Sequence, residues 1–111
     1  MSATGLERRP DGILVPAGRR VAGEVEPPPS KSLTHRAFAL ALLAAEPLVV
    51  ERPLVAEDTA LFRQALARLG WTVEEGERRL TLAPGPLPPR AEIHCGNAGT
   101  MFRFLVALLA A

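Results

Sequence analysis

The chain has 111 residues, 48% of them hydrophobic and 23% charged, with a net charge of +1. This is the size and balance of one ordinary domain, and it excludes the broad basic field of a non-specific nucleic-acid binder. The lone Cys95 excludes an internal disulfide and a cysteine-only metal site, no apolar run is long enough to cross a membrane, and residues 1–14 lack the apolar core of a secretion signal. A cytoplasmic protein is therefore expected.

In chain order, residues 1–11 read as a polar, frayed lead. Residues 13–15 and 21–25 have the alternation of short strands, with Val21, Gly23 and Val25 on one face. Pro27-Pro28-Pro29 forces a stiff, extended approach. Ser32 is the expected N-cap of a helix over 33–45, whose apolar positions Leu33, Ala37, Leu40, Ala41 and Ala44 recur at helical spacing before Pro47. Residues 48–50 form a short strand. Asp58 is expected to cap a second helix with Leu61, Phe62, Ala65, Leu66 and Leu69 buried and Gly70 as its stop.

Residues 71–73 and 80–82 predict a hairpin turning at Glu75-Gly76, followed by a rigid proline loop over 84–89. Ala91, Ile93 and Cys95 alternate as a further strand. Gly96-Asn97-Ala98-Gly99-Thr100 then opens a third helix, apolar to Ala111 with no stop signal. The chain thus reads as the opening part of a longer protein. Strands alternating with amphipathic helices predict an α/β (α+β) class, with helices packed on small mixed sheets.

Two loops carry the chemistry. Of thirteen basic residues only Lys31 is a lysine, and it lies between two serines. Lysine is a compact, rotatable point charge where arginine is a planar fork, so a lysine between hydroxyls before a helix suits a phosphate or carboxylate. Ser32 adds a hydroxyl, and Arg36 lies about 40° further round the helix from it and can lean toward the same anion. The bland reading is a solvated cap with a surface ion pair.

The second loop places two glycines three apart before a helix, where bare backbone admits a ligand, with Asn97 and Thr100 as donors. GxxxxGK[ST] is absent, so this is not a P-loop, and a tight structural turn is the competing account. His35 and His94 lack metal-ligand spacing and read as structural or surface residues; Cys95 reads as core. Asp58, beyond capping, can hold a lysine or arginine at the edge of a charged cleft.

Taken together, residues 29–37, 58–70 and 96–103 resemble the N-terminal part of 5-enolpyruvylshikimate-3-phosphate synthases. The matching runs are Pro-Ser-Lys-Ser-x-x-x-Arg-Ala, Asp-Thr before a helix ending in Leu-Gly, and Gly-Asn-Ala-Gly-Thr-x-x-Arg. The resemblance implies repeated βαβαββ units of the enolpyruvyl transferase fold. It places residues 1–26 with another domain and makes 27–111 the first unit and the start of the next, ending mid-helix.

It also implies transfer of the enolpyruvyl group of phosphoenolpyruvate to the 5-hydroxyl of shikimate 3-phosphate, releasing phosphate, on the shikimate route to chorismate and the aromatic amino acids. No metal or organic cofactor is implied, no nucleic-acid or membrane partner, and a monomer. Carried over by position, Lys31 is the catalytic residue touching both substrates, Ser32 and Arg36 hold shikimate 3-phosphate, Gly99 lines the phosphoenolpyruvate pocket, Asn97 and Thr100 shape its loop, and Asp58 and Arg103 support.

Two positions depart from the common pattern: Pro29 stands where many members have glycine, and Phe104 where many have proline. The resemblance supplies no acid, no base and no phosphoenolpyruvate-binding arginine within these residues, so the chain alone is expected to hold half a cleft. The alternatives are a non-catalytic anion-binding fragment, and UDP-N-acetylglucosamine enolpyruvyl transferase, which carries Lys-Asn-Ala in place of Ser-Lys-Ser.

Overall fold

The structure, a computed structural model, describes residues 5–18 and 20–111. Its elements are β1 (Glu7–Arg9), β2 (Gly12–Leu14), α1 (Lys31–Leu43), β3 (Leu48–Glu51), α2 (Glu57–Arg68), β4 (Thr72–Gly76), β5 (Arg79–Ala83) and α3 (Gly99–Ala110). β1 and β2 pair as an antiparallel hairpin, and β3, β5 and β4 form an antiparallel sheet in that order. Helices cover this sheet, as the sequence pattern predicts, although both sheets are antiparallel rather than mixed.

One core unites the layers. Phe38 and Ala41 of α1, Phe62, Ala65 and Leu66 of α2, Leu80 and Leu82 of β5 and Met101 and Leu105 of α3 are buried together. The helices α1 and α2 run parallel. Lys31 meets Asp58 at their N-terminal ends, Phe38 packs edge-on against Phe62 in the middle, and the Trp71 indole just past α2 donates to the Ala41 carbonyl near the end of α1. The end of α2 follows the glycine rule: Gly70 has φ +97°, the Gly70 and Trp71 amides bond back to Ala67 and Leu66, and a methyl at Gly70 would lie 2.2 Å from the Pro86 carbonyl oxygen.

Several expectations are corrected. The lead is not wholly frayed, because residues 7–9 pair with 12–14; residues 1–4 lie outside the described residues. The expected strands over 21–25 and 91–95 are not formed. A strand needs a neighbour for its backbone groups, and no described segment pairs with either stretch. Val21 and Val25 stand 85% and 86% exposed, so their apolar face is uncovered. The chain is accordingly drawn out to 60 Å along its longest axis.

Helix α1 begins two residues earlier than expected, with Ser30 rather than Ser32 as its cap: the Ser30 hydroxyl accepts the Leu33 amide at 3.2 Å. Its buried face is Thr34, His35, Phe38 and Ala41, while the expected Leu33 and Leu40 are exposed. Apolar spacing alone misplaced that face because two polar residues are buried in it.

Asp58 does not cap α2. The cap position is Ala56, which has no polar side chain, and the Thr59 hydroxyl accepts the Ala56 amide instead. The β4–β5 hairpin turns at Glu77-Arg78, not Glu75-Gly76. Gly76 is the last paired residue of β4, and Arg78 takes the positive φ of 53°.

Candidate functional site

The first loop is built on two threonines. Thr34 donates to the Ser30 carbonyl at 2.7 Å and accepts the Leu54 amide at 3.1 Å, tying the first turn of α1 to the segment that enters α2. Thr59 donates to the Leu54 carbonyl at 2.7 Å while accepting from Ala56. Both hydroxyls are buried and satisfied, so the 54–56 segment is bracketed from both helices and the two first turns are fixed against each other. No functional role for these threonines was legible from apolar periodicity. The available signal was a threonine three residues after an alanine in a cap position.

This bracket sets the charges. Lys31 Nζ lies 3.2 Å from Asp58 Oδ2, so Asp58, expected as a cap, instead holds the lysine. The lysine remains 56% exposed and the carboxylate 27%, leaving the ammonium room for a second anionic partner. A cation in the first turn of a helix opposes the helix dipole, whereas Glu57 and Asp58 complement that of α2. Lys31 is thus electrostatically misplaced for stability and well placed for an incoming anion.

By the helical repeat, Ser32 and Arg36 sit roughly 100–140° round α1 from Lys31, on an adjoining flank. Both are exposed, and neither bonds another described side chain.

The second loop abuts the same corner. Gly96 has φ +52°, and a methyl there would come 3.1 Å from the Leu61 side chain, one turn beyond Asp58 on α2. The Ala98 amide bonds the Cys95 carbonyl and the Gly99 amide bonds the Asn97 carbonyl, closing the turn that launches α3. The loop that leads into α3 therefore packs against α2 one turn past Asp58. Asn97, Gly99 and Thr100 are exposed, and nothing lies within 4 Å of a Cβ placed on Gly99. Gly99 and Arg103 share one open flank of α3, four residues apart. Cys95 is half-buried against the core, and His94 is exposed beside Gly96.

His35 forms the floor beneath the ion pair. It is 1% exposed, its ring lies 5.5 Å from that of Phe62, and neither ring nitrogen has a hydrogen-bond partner. Burial pushes its pKa below the ordinary imidazole value; the nearby Asp58 backbone and carboxylate pull it back part-way, and the Lys31 ammonium adds to the lowering.

Residues 15–111 match the family model of EPSP synthase (3-phosphoshikimate 1-carboxyvinyltransferase). The chain belongs to the EPSP synthase family. Among relatives bearing the name 3-phosphoshikimate 1-carboxyvinyltransferase, the Methanocorpusculum labreanum protein is 43% identical over 99 residues, covering 86% of this chain and 24% of that protein. The Opitutus terrae protein is 44% identical over 104 residues, covering 88% and 24%. The Kocuria rhizophila protein is 39% identical over 129 residues, covering 99% and 28%. The chain spans about a quarter of the length of the curated relatives it matches. All three EPSP-synthase-like motifs, at 29–37, 58–70 and 96–103, fall inside the matched region.

Proposed function

We propose that this chain supplies the Lys31 half of an enolpyruvyl transferase site, which moves the enolpyruvyl group of phosphoenolpyruvate to the 5-hydroxyl of shikimate 3-phosphate and releases phosphate. The observation carrying this reading is the single lysine, held by Asp58 yet more than half exposed, where α1 and α2 begin, with the Gly96 loop packed against α2 one turn further on. Lys31 contacts both anions. Ser32 and Arg36 hold shikimate 3-phosphate from the flank of α1. The Gly99 backbone lines the phosphoenolpyruvate pocket, with Asn97 and Thr100 shaping the loop and Arg103 supporting it.

The chemistry gives each group its task. Two phosphorylated anions repel one another, and bringing them together requires fixed positive charge and aimed backbone dipoles. Proton delivery to the methylene carbon of phosphoenolpyruvate leaves positive character on its phosphate-bearing carbon, where the shikimate 5-hydroxyl oxygen attacks with loss of its proton; departure of phosphate and of a proton from the new methyl group then restores the double bond. The arrangement here serves binding and alignment. Residues 1–26 are read as joining another domain, with 27–111 as the first repeat unit and the opening of the next. The protein is read as a cytoplasmic monomer working without metal or organic cofactor.

The test extends the chain to the length of its relatives and measures phosphate release. Release from phosphoenolpyruvate that depends on shikimate 3-phosphate is expected, and its absence in a folded protein overturns the reading. The 111-residue chain alone is expected to bind weakly without turnover; measurable release by it would overturn the half-cleft account.

A further inference from the structure

Below the ion pair the structure holds a group that the proposed reaction leaves unused. His35 follows Lys31 by four residues on α1, and Phe62, its ring neighbour, follows Asp58 by four on α2. The imidazole therefore lies in the layer below the ammonium–carboxylate contact, sealed from solvent, with the Asp58 backbone near it and neither nitrogen in a fully formed hydrogen bond. A phenyl or leucyl group would fill such a layer without leaving buried polar atoms unsatisfied.

We propose that His35 is a positioning residue for Lys31: while neutral it leaves Asp58 to the lysine, and when charged it draws the carboxylate away and loosens the ammonium. The proposal concerns the site read above as anion-binding, but its primary measurement is independent of any substrate. Asp58 is the nearby carboxylate and Lys31 the nearby cation acting on the ring. Elsewhere on α2, Glu57 is exposed, Arg63 pairs with Glu75, and Arg68 donates to the Glu92 carbonyl. The other elements against α1 are α3, with Arg103 exposed, and β3, with Glu51 paired to Arg79. The lowered basicity of the buried ring fits a group that stays neutral until the medium turns acidic.

A single lysine makes the test clean. Reductive methylation with labelled formaldehyde puts carbon-13 reporters on Lys31 and the α-amino group alone, while keeping the charge. The Lys31 methyl resonance of the chain should pass through an inflection below pH 6.5. His35→Phe keeps an aromatic ring against Phe62 and should remove that inflection. Should that variant fail to fold by circular dichroism, His35→Gln gives a non-titrating amide and the same expected curve.

An unchanged curve in the folded variant, or no inflection in the wild type, overturns the proposal. Shikimate 3-phosphate affinity should also fall several-fold more across this interval in wild type than in His35→Phe, where only the ligand's own phosphate titrates; equal falls overturn the effect on binding. An intact Lys31 inflection with no shikimate 3-phosphate binding at any pH overturns the substrate assignment and supports the His35–Lys31 coupling.

Discussion

Replacing Lys31 separates stability from binding, because the residue is nearly neutral for one and, in the proposed function, central to the other. Its contact with Asp58 at 3.2 Å is partly exposed, and such pairs contribute about 0.2–1 kcal/mol. Against this, a cation in the first turn of a helix costs about 0.3–1 kcal/mol. The two nearly cancel, and Asp58 left alone stays partly solvated in the favourable first turn of α2. Lys31→Ala should therefore change unfolding free energy by less than about 1 kcal/mol, a Tm shift of at most roughly 4–8 °C for a domain near this size.

Binding behaves otherwise. A hydrogen bond to a charged group contributes about 1.5–3 kcal/mol, so the affinity for shikimate 3-phosphate should fall about 10- to 150-fold. Lys31→Arg should keep the stability and still bind poorly, since a planar fork cannot swivel between two anions as an ammonium does. Thermal melts and calorimetric titrations of the chain provide both numbers. A stability loss above about 2 kcal/mol, or near-normal affinity in either variant, would refute the reasoning.

Four further outcomes follow from the geometry. The folded state depresses the His35 pKa, so between that value and the ordinary 6.5 the unfolded chain binds more protons; stability is full above pH 6.5, falls as the pH drops through the folded value, and urea melts of His35→Phe should lack this component. Thr59→Val leaves the Ala56 amide and the Leu54 carbonyl without their partner and should cost about 1–3 kcal/mol in denaturant unfolding, with weakened anion binding as Asp58 shifts. Gly70→Ala forces a side chain into positive φ and against the Pro86 carbonyl, and should destabilise by about 1–3 kcal/mol or more. Gly99→Ala meets open space, so its melting curve should match the wild type while its affinity for phosphoenolpyruvate falls.

What the sequence made legible divides along contact range. The α2 stripe, its stop at Gly70 and the launch of α3 after Gly96 depend on local periodicity and backbone chemistry; Phe62, Ala65, Leu66 and Leu69 are buried as read and Leu61 is half-buried at the edge of the core. The stretches 21–25 and 91–95 depend on a partner strand, which local pattern cannot supply, and neither pairs within the described residues. The α1 face was misjudged because Thr34 and His35 are buried for what they touch, the Leu54 amide before α2 and the Phe62 ring on it, not for their hydropathy. The site divides in the same way. Lys31, Ser32, Arg36 and the glycine turn stood out by residue type and spacing. The threonine bracket and the His35 floor emerged only when α1 and α2 were laid side by side.

The central claim is that the 30–36 and 96–103 loops act on one pair of anions around Lys31. Amide shifts in nitrogen-15-labelled chain, titrated with shikimate 3-phosphate and then with phosphoenolpyruvate, test it most directly. The account predicts that Lys31, Ser32 and Arg36 respond to the first anion and that Asn97, Gly99 and Thr100 respond with Lys31 to the second. Shifts confined to one loop, or a phosphoenolpyruvate response that leaves Lys31 unmoved, would contradict it.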